Sequence, residues 1–261
     1  MNRTLLWHIT AEWLKCRRSH ITWLTLLVAG LLPVLHFVGM EEHPETFIPM
    51  MKRGPWDLLF MMNLDTASMA MIPVYCLLLF AFLAAIETRH HAWKQLYSLP
   101  RSYTDIYLSK FIVAQYYLVI YFLLFILFVV AEGLVLHAVI PAYPLYVQNI
   151  PWETMLVRCG RVYVGTLSLC ALQYWLSMHF RNYMIPVMLG LAVLAAGPVV
   201  RLLGLAPYDP YVYPRILFAV GIPTRHFYYP TATAFIIAVC GVVLLLPGGC
   251  MLHARRGQFR V

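Results

Sequence analysis

The chain has 261 residues, of which 62% are hydrophobic and only 11% charged, with a formal net charge of +8 and a mean hydropathy of +0.73. Soluble domains average about 45–50% apolar and about 25% charged residues, so this composition excludes an ordinary soluble domain and places the chain in the membrane class. At about 20 residues per membrane helix, the length suits six spans and leaves little for a separate soluble unit.

The first 20 residues, MNRTLLWHITAEWLKCRRSH, predict an amphipathic helix. On a helical wheel Leu5, Leu6, Ile9, Trp13 and Cys16 share one arc, while Glu12, Lys15, Arg17 and Arg18 fall outside it. Trp7 and Leu14 break the pattern. Such a helix lies in the membrane interface as an elbow before the chain turns inward; the plainer reading is a basic topology anchor. Span 1 is expected over 21–39. It is too long for a signal-peptide core and no small-residue cleavage site follows, so it is expected to stay as an anchor. An acidic cluster, EEHPE, precedes span 2 at 67–86.

Between spans 2 and 3 the chain reads ETRHHAWKQLYSLPRSYTDIYLSK over 87–110. Trp93, Leu96 and Tyr97 have the i, i+3, i+4 spacing of one apolar helix face. Pro100 ends that helix, because the residue before proline avoids the helical region. Ser102 followed by Asp105 resembles a capping box that starts a second helix running straight into span 3. A short rigid element fused to two membrane helices suits force transmission, with a partner packed on Trp93 and Leu96. The alternative is a tight loop whose aromatics sit at the headgroups.

Span 3 is expected over 111–140, long enough to tilt or protrude. Span 4 is expected over 156–180, span 5 over 183–205 and span 6 over 231–252, with a basic tail over 253–261. Period-2 patterning of the barrel kind is absent, which favours helices. Glu132 falls late in span 3 and Arg158 and Arg161 early in span 4, so the three form a candidate outer polar pair, either a gate or an interfacial salt bridge. The aromatic and proline-rich stretch over 206–230 contains RILFAVG, a candidate short re-entrant helix; its other reading is an aromatic girdle.

Six spans put both termini on one side. That side carries twelve Lys and Arg against three acids, and the opposite side seven against eight. The basic excess marks the cytoplasmic face, so both termini and the 87–110 loop are expected in the cytoplasm. The net charge is then topology and gives no reason to expect nucleic acid as a partner.

The six cysteines lack paired spacing and read as packing residues, with no metal site expected. Glu87, His90 and His91 lack the His spacing of a zinc helix, and no G-x-S-x-G occurs. No phosphate-binding G-x-x-x-x-G-K-[ST] occurs either, so an ATP-driven process would need its ATPase on another chain.

The segment E-x-x-x-x-A-W-K-Q-L-x-S-L-P-x-S from Glu87 to Ser102, with I-Y-L-S-K at 106–110, resembles permease subunits of type-2 ABC transporters. Within them it is most similar to the lantibiotic-immunity branch, and A-E-W-L-K-x-x-R-S over 11–19 resembles that group's elbow. Arg101 and the EEHPE loop depart from the pattern. The resemblance implies an all-α integral membrane protein in the inner or plasma membrane, with six spans over 21–252 behind an elbow helix over 1–20. It implies a coupling loop over 88–105 that docks a cytoplasmic ABC ATPase, with ATP and magnesium on that partner and no cofactor on this chain. Glu87, Trp93, Lys94, Leu96, Tyr97 and Pro100 are the implied docking residues, and Glu12, Trp13 and Lys15 the elbow residues. A second permease chain, the same or a sister, is the other implied partner within the bilayer. The cargo it implies is a hydrophobic or lantibiotic-like peptide; lipid or drug cargo, or a non-transport scaffold or enzyme, stand as alternatives.

Overall fold

The computed structural model describes residues 3–17, 19–52, 54–89, 103–180, 182–205, 208–220 and 239. Helix accounts for nearly all of them and no strand occurs among the described residues. In chain order the helices are α1 (Arg3–Arg17), α2 (Ile21–Glu42), α3 (Pro44–Met51), α4 (Pro55–Thr66), α5 (Ile72–Arg89), α6 (Tyr103–Val139), α7 (Trp152–His179), α8 (Met184–Leu202) and α9 (Tyr213–Ala219). Among the described residues four stretches are long and apolar enough to cross a membrane: Ile21–Glu42, Pro55–Ile86, Asp105–Val139 and Trp152–His179. Met184–Val200 is a shorter apolar helix, and the sixth expected span, 231–252, lies outside the described residues.

Local chemistry sets several boundaries. Proline opens both α3 and α4, where its missing N–H costs nothing and its fixed φ fits the first turn. Asn182 accepts the Met184 N–H through Oδ1 at 3.0 Å and so starts α8. Helix α4 does not stop before span 2. It runs through a π-helical turn, Ala67–Met71, directly into α5. The span expected over 67–86 therefore begins at Pro55. Its first third carries Asp57, Asn63 and Asp65, which dilute the hydropathy, yet Trp56, Leu59, Phe60 and Leu64 on the same stretch are buried. Helix α6 starts at Tyr103, eight residues before the apolar run at Phe111, and continues unbroken for 37 residues. At about 1.5 Å per residue it exceeds a membrane core of about 30 Å.

One end of the bundle holds α1, the end of α5 and the start of α6; this is called the loop end, and the other the far end. Helix α2 packs along α6, α5 against α7 and α8, α9 against α7, and α1 across the start of α6. The largest fully buried side chains are led by five tyrosines, Tyr75, Tyr107, Tyr121, Tyr143 and Tyr174. Their rings fill the core, and several hydroxyls bond across helices. Tyr75 shares a 2.9 Å hydrogen bond with Thr25 and stacks on Tyr121 at 4.8 Å. Tyr174 donates to the Tyr107 carbonyl and Tyr143 to the Met40 carbonyl, each at 2.7 Å. Without water to compete, packing and such interhelical bonds hold membrane helices together.

Candidate functional site

The loop end carries the best-defined polar site. On α1, Ile9, Trp13 and Cys16 pack on the core, as the helical wheel predicts. Trp7 and Leu14, which break that wheel, point away and are exposed. Glu12 is the surprise. Placed by the wheel on the polar face, it is only 6% exposed, because Lys110 of α6, 2% exposed, meets it from the opposite side. Lys110 Nζ donates to Glu12 Oε2 at 2.5 Å, and Lys15 Nζ donates to Oε1 at 2.9 Å. Both carboxylate oxygens are thus engaged. Burial alone would push the Glu12 carboxyl up, but the Lys110 and Lys15 charges and their hydrogen bonds outweigh it and hold the group below its ordinary value.

The elbow itself is a tight joint. Ser19 donates its hydroxyl to the Cys16 carbonyl at 2.7 Å and accepts the Ile21 N–H at 3.3 Å, which satisfies one carbonyl at the end of α1 and one N–H at the start of α2. Arg17 lies over the Trp13 ring, 5.5 Å from its centre. The Glu12–Lys110 pair therefore ties this joint to the base of α6, seven residues beyond the first residue of that helix.

Helix α5 ends at Arg89 and α6 begins at Tyr103. Trp93, Lys94, Leu96, Tyr97 and Pro100 lie outside the described residues, as does the side chain of Glu87. The elbow residues Glu12, Trp13 and Lys15 are brought together with the start of α6. The partner Lys110 was not singled out by sequence. The available signal was a lone lysine at the threshold of an apolar run, opposite a helix bearing one acid.

At the far end the expected Glu132–Arg158/Arg161 pairing does not form. Glu132 of α6 accepts a hydrogen bond from Asn63 Nδ2 of α4 at 2.9 Å, and Arg161 donates to the Val220 carbonyl at 3.2 Å. The α4 extension, unforeseen from hydropathy, is what puts an amide beside the carboxylate. A separate ion pair joins Asp65 to Arg215 of α9 at 3.3 Å. Helix α9 overlaps the RILFAVG stretch, and its backbone approaches α7 closely. A Cβ on Gly165 would stand 2.7 Å from the Tyr213 carbonyl oxygen. Asp209 accepts the Tyr211 N–H at 2.9 Å, and the Tyr211 hydroxyl donates to Gln173 of α7 at 2.8 Å. Met69, Leu194, Pro198, Tyr211 and Arg215 border a cleft of about 160 Å³ between the π turn, α8 and this segment.

The family model described as ABC-2 family transporter protein matches residues 8–197, from the elbow through most of α8. The chain belongs to the ABC-2 transporter family. This makes it a multi-pass membrane component of an ABC transporter, a class whose membrane chains are generally not the catalytic ones. No curated protein matches the chain. The Glu12–Lys110 clamp lies inside the matched region, as do the Glu132–Asn63 contact and the ends of α5 and α6.

Proposed function

We propose that this chain is the permease subunit of an ATP-driven ABC exporter that moves a hydrophobic or amphipathic, lantibiotic-like peptide out of the membrane. It works as a pair with a second permease chain, with both termini cytoplasmic and six spans. Each permease docks one ATPase through the 88–105 loop. The observation that carries this reading is the buried Glu12–Lys110 pair beside the entry of that loop. A push on the loop acts on α5 and α6 directly, and the clamp passes the displacement of α6 to the elbow and α2. Docking side chains are Trp93 and Leu96 as apolar anchors, with Tyr97 beside them and Glu87 and Lys94 as polar contacts. Pro100 fixes the turn.

ATP closing the two ATPases then shifts the permease pair between two global arrangements, which is all that coupled transport requires of this chain. The cargo class rests on the likeness of 87–110 and 11–19 to the lantibiotic-immunity branch. The segment over 206–230 serves as a re-entrant cap over the path, with α9 as its helical part.

The test is co-purification of the chain with the ABC ATPase encoded beside it. Burying Trp93 and Leu96 at a dock is worth about 1.5–3 kcal/mol each. Trp93→Ala and Leu96→Ala should therefore release the ATPase while the membrane protein remains folded. Retention of the ATPase by both variants would remove the docking assignment. Cells making both subunits should survive a lantibiotic better than cells whose ATPase cannot hydrolyse ATP; equal survival would remove the cargo.

A further inference from the structure

Away from the loop end, three helices bring together polar groups that the transport reading leaves unused. Glu132 of α6 is 5% exposed and Asn63 of α4 is fully buried. Asn63 Nδ2 donates both to the Leu59 carbonyl at 3.1 Å and to Glu132 Oε2 at 2.9 Å, which fixes the orientation of its amide. Half-buried His36 of α2 stands within electrostatic reach of that same Asn63 side chain. Glu132 Oε1 is buried without a partner, and Asn63 Oδ1 and His36 Nδ1 beside it have none at ordinary hydrogen-bond geometry.

The Glu132 oxygen is an acceptor that lacks both a donor and a paired positive charge. None of the ion pairs among the described residues includes Glu132. Of the other ionisable groups on α6 and α7, His137 is engaged with the Tyr143 carbonyl and Arg161 with the Val220 carbonyl. Arg158 of α7 makes no bond to the carboxylate, and α4 contributes only the neutral Asn63 at this point. A bound water would add donors but no charge, and a buried carboxylate without a counter-charge is costly. Ionisable groups inside membrane bundles characteristically mark ion sites or proton paths.

We propose that the His36–Asn63–Glu132 node binds one small monovalent cation, a proton or a sodium ion, which neutralises Glu132 and holds α2, α4 and α6 together at the far end. The proposal does not rest on the exporter reading. The shared chemistry is a single positive charge taken by Glu132 with Asn63 and His36 as supporting ligands.

The test is thermal unfolding of the full-length chain in lipid nanodiscs, with wild type beside Glu132→Gln. Conditions run from about pH 6 to about pH 9 in sodium chloride or choline chloride at equal ionic strength. A cation held by the folded chain and released on unfolding shifts the folding constant by up to about tenfold per tenfold change in its activity. If the cation is a proton, the wild-type midpoint falls as pH rises, equally in both salts, and the slope exceeds that of Glu132→Gln. The two proteins differ only at residue 132, so the difference between their slopes reports that carboxyl. If the cation is sodium, the wild type is more stable in sodium than in choline and Glu132→Gln is indifferent. Identical responses of the two proteins to pH and to salt overturn the proposal.

Should Glu132→Gln fail to fold, labelling of wild type by a hydrophobic carbodiimide decides the matter, with Glu132 read by peptide mass spectrometry. Labelling that is suppressed by raising pH or by sodium supports the site. No labelling at the lowest pH in choline, or labelling blind to both variables, overturns it.

Discussion

Replacing Lys110 by Met keeps the aliphatic stem in place and removes the ammonium with its charge and its hydrogen bond to Glu12. What remains is the Glu12 carboxylate, 6% exposed, with Lys15 as its ionic partner. Lys15 is a weak substitute, since its side chain is 38% exposed and water screens it. Removing one member of a buried ion pair costs about 3–5 kcal/mol, because the other charge stays buried. Lys15→Met should cost no more than about 1 kcal/mol. The measurement is reversible unfolding in mixed micelles by titration with a denaturing detergent, on both variants and on Lys110→Met with Glu12→Gln. The double variant should recover part of the loss, since a neutral amide replaces the stranded carboxylate. Equal costs for the two lysine variants, or strict additivity in the double variant, would refute a clamp in which Lys110 is the principal partner.

The Glu12 carboxyl is held below its ordinary value of 4.5, so its clamp is fully formed above that pH and is lost as pH falls through the lowered value. Wild type should therefore lose more stability than Glu12→Gln on acidification below about pH 4.5, while near neutrality, where the clamp is fully formed, the two should show parallel pH dependence. Gly165→Ala forces a Cβ against the Tyr213 backbone and should cost about 1–3 kcal/mol. Gly160→Ala, on the same helix with nothing within 4 Å, should be neutral or gain up to about 1 kcal/mol. Similar unfolding midpoints for the two would deny the close packing of α9 on α7. Tyr75→Phe deletes the hydroxyl shared with Thr25 and the Tyr117 carbonyl and should cost about 1 kcal/mol in the same assay, because Thr25 keeps its bond to the Ile21 carbonyl. A loss close to that of removing the whole ring would show that the ring stack, and not the hydroxyl, was disturbed.

The helical membrane class, the amphipathic N-terminal helix, the start of span 1, the end of span 4 and the unbroken entry into span 3 were legible in the amino acids. They are local properties: apolar runs as long as a membrane core and a wheel that segregates Ile9, Trp13 and Cys16. The short motifs at 11–19 and 87–110 were legible as a resemblance, and the match over residues 8–197 supports it at the level of the family. The start of span 2 was misjudged because hydropathy averages over a window. Asp57, Asn63 and Asp65 lower that average although the same turns bury Trp56, Leu59 and Phe60.

Partners across the bundle were not legible at all. Glu12 and Lys110 lie 98 positions apart, Asn63 and Glu132 69 apart, and Thr25 and Tyr75 50 apart. By itself the sequence determined that this chain enters a membrane as helices, since apolar length and period act on each segment separately. Only the tertiary structure decided which charges are buried, which tyrosines leave the headgroups for the core, and which arginine Glu132 does not meet. Those outcomes depend on the rotation and depth at which helices pack, and helix rotation is set by the neighbours that each segment finds.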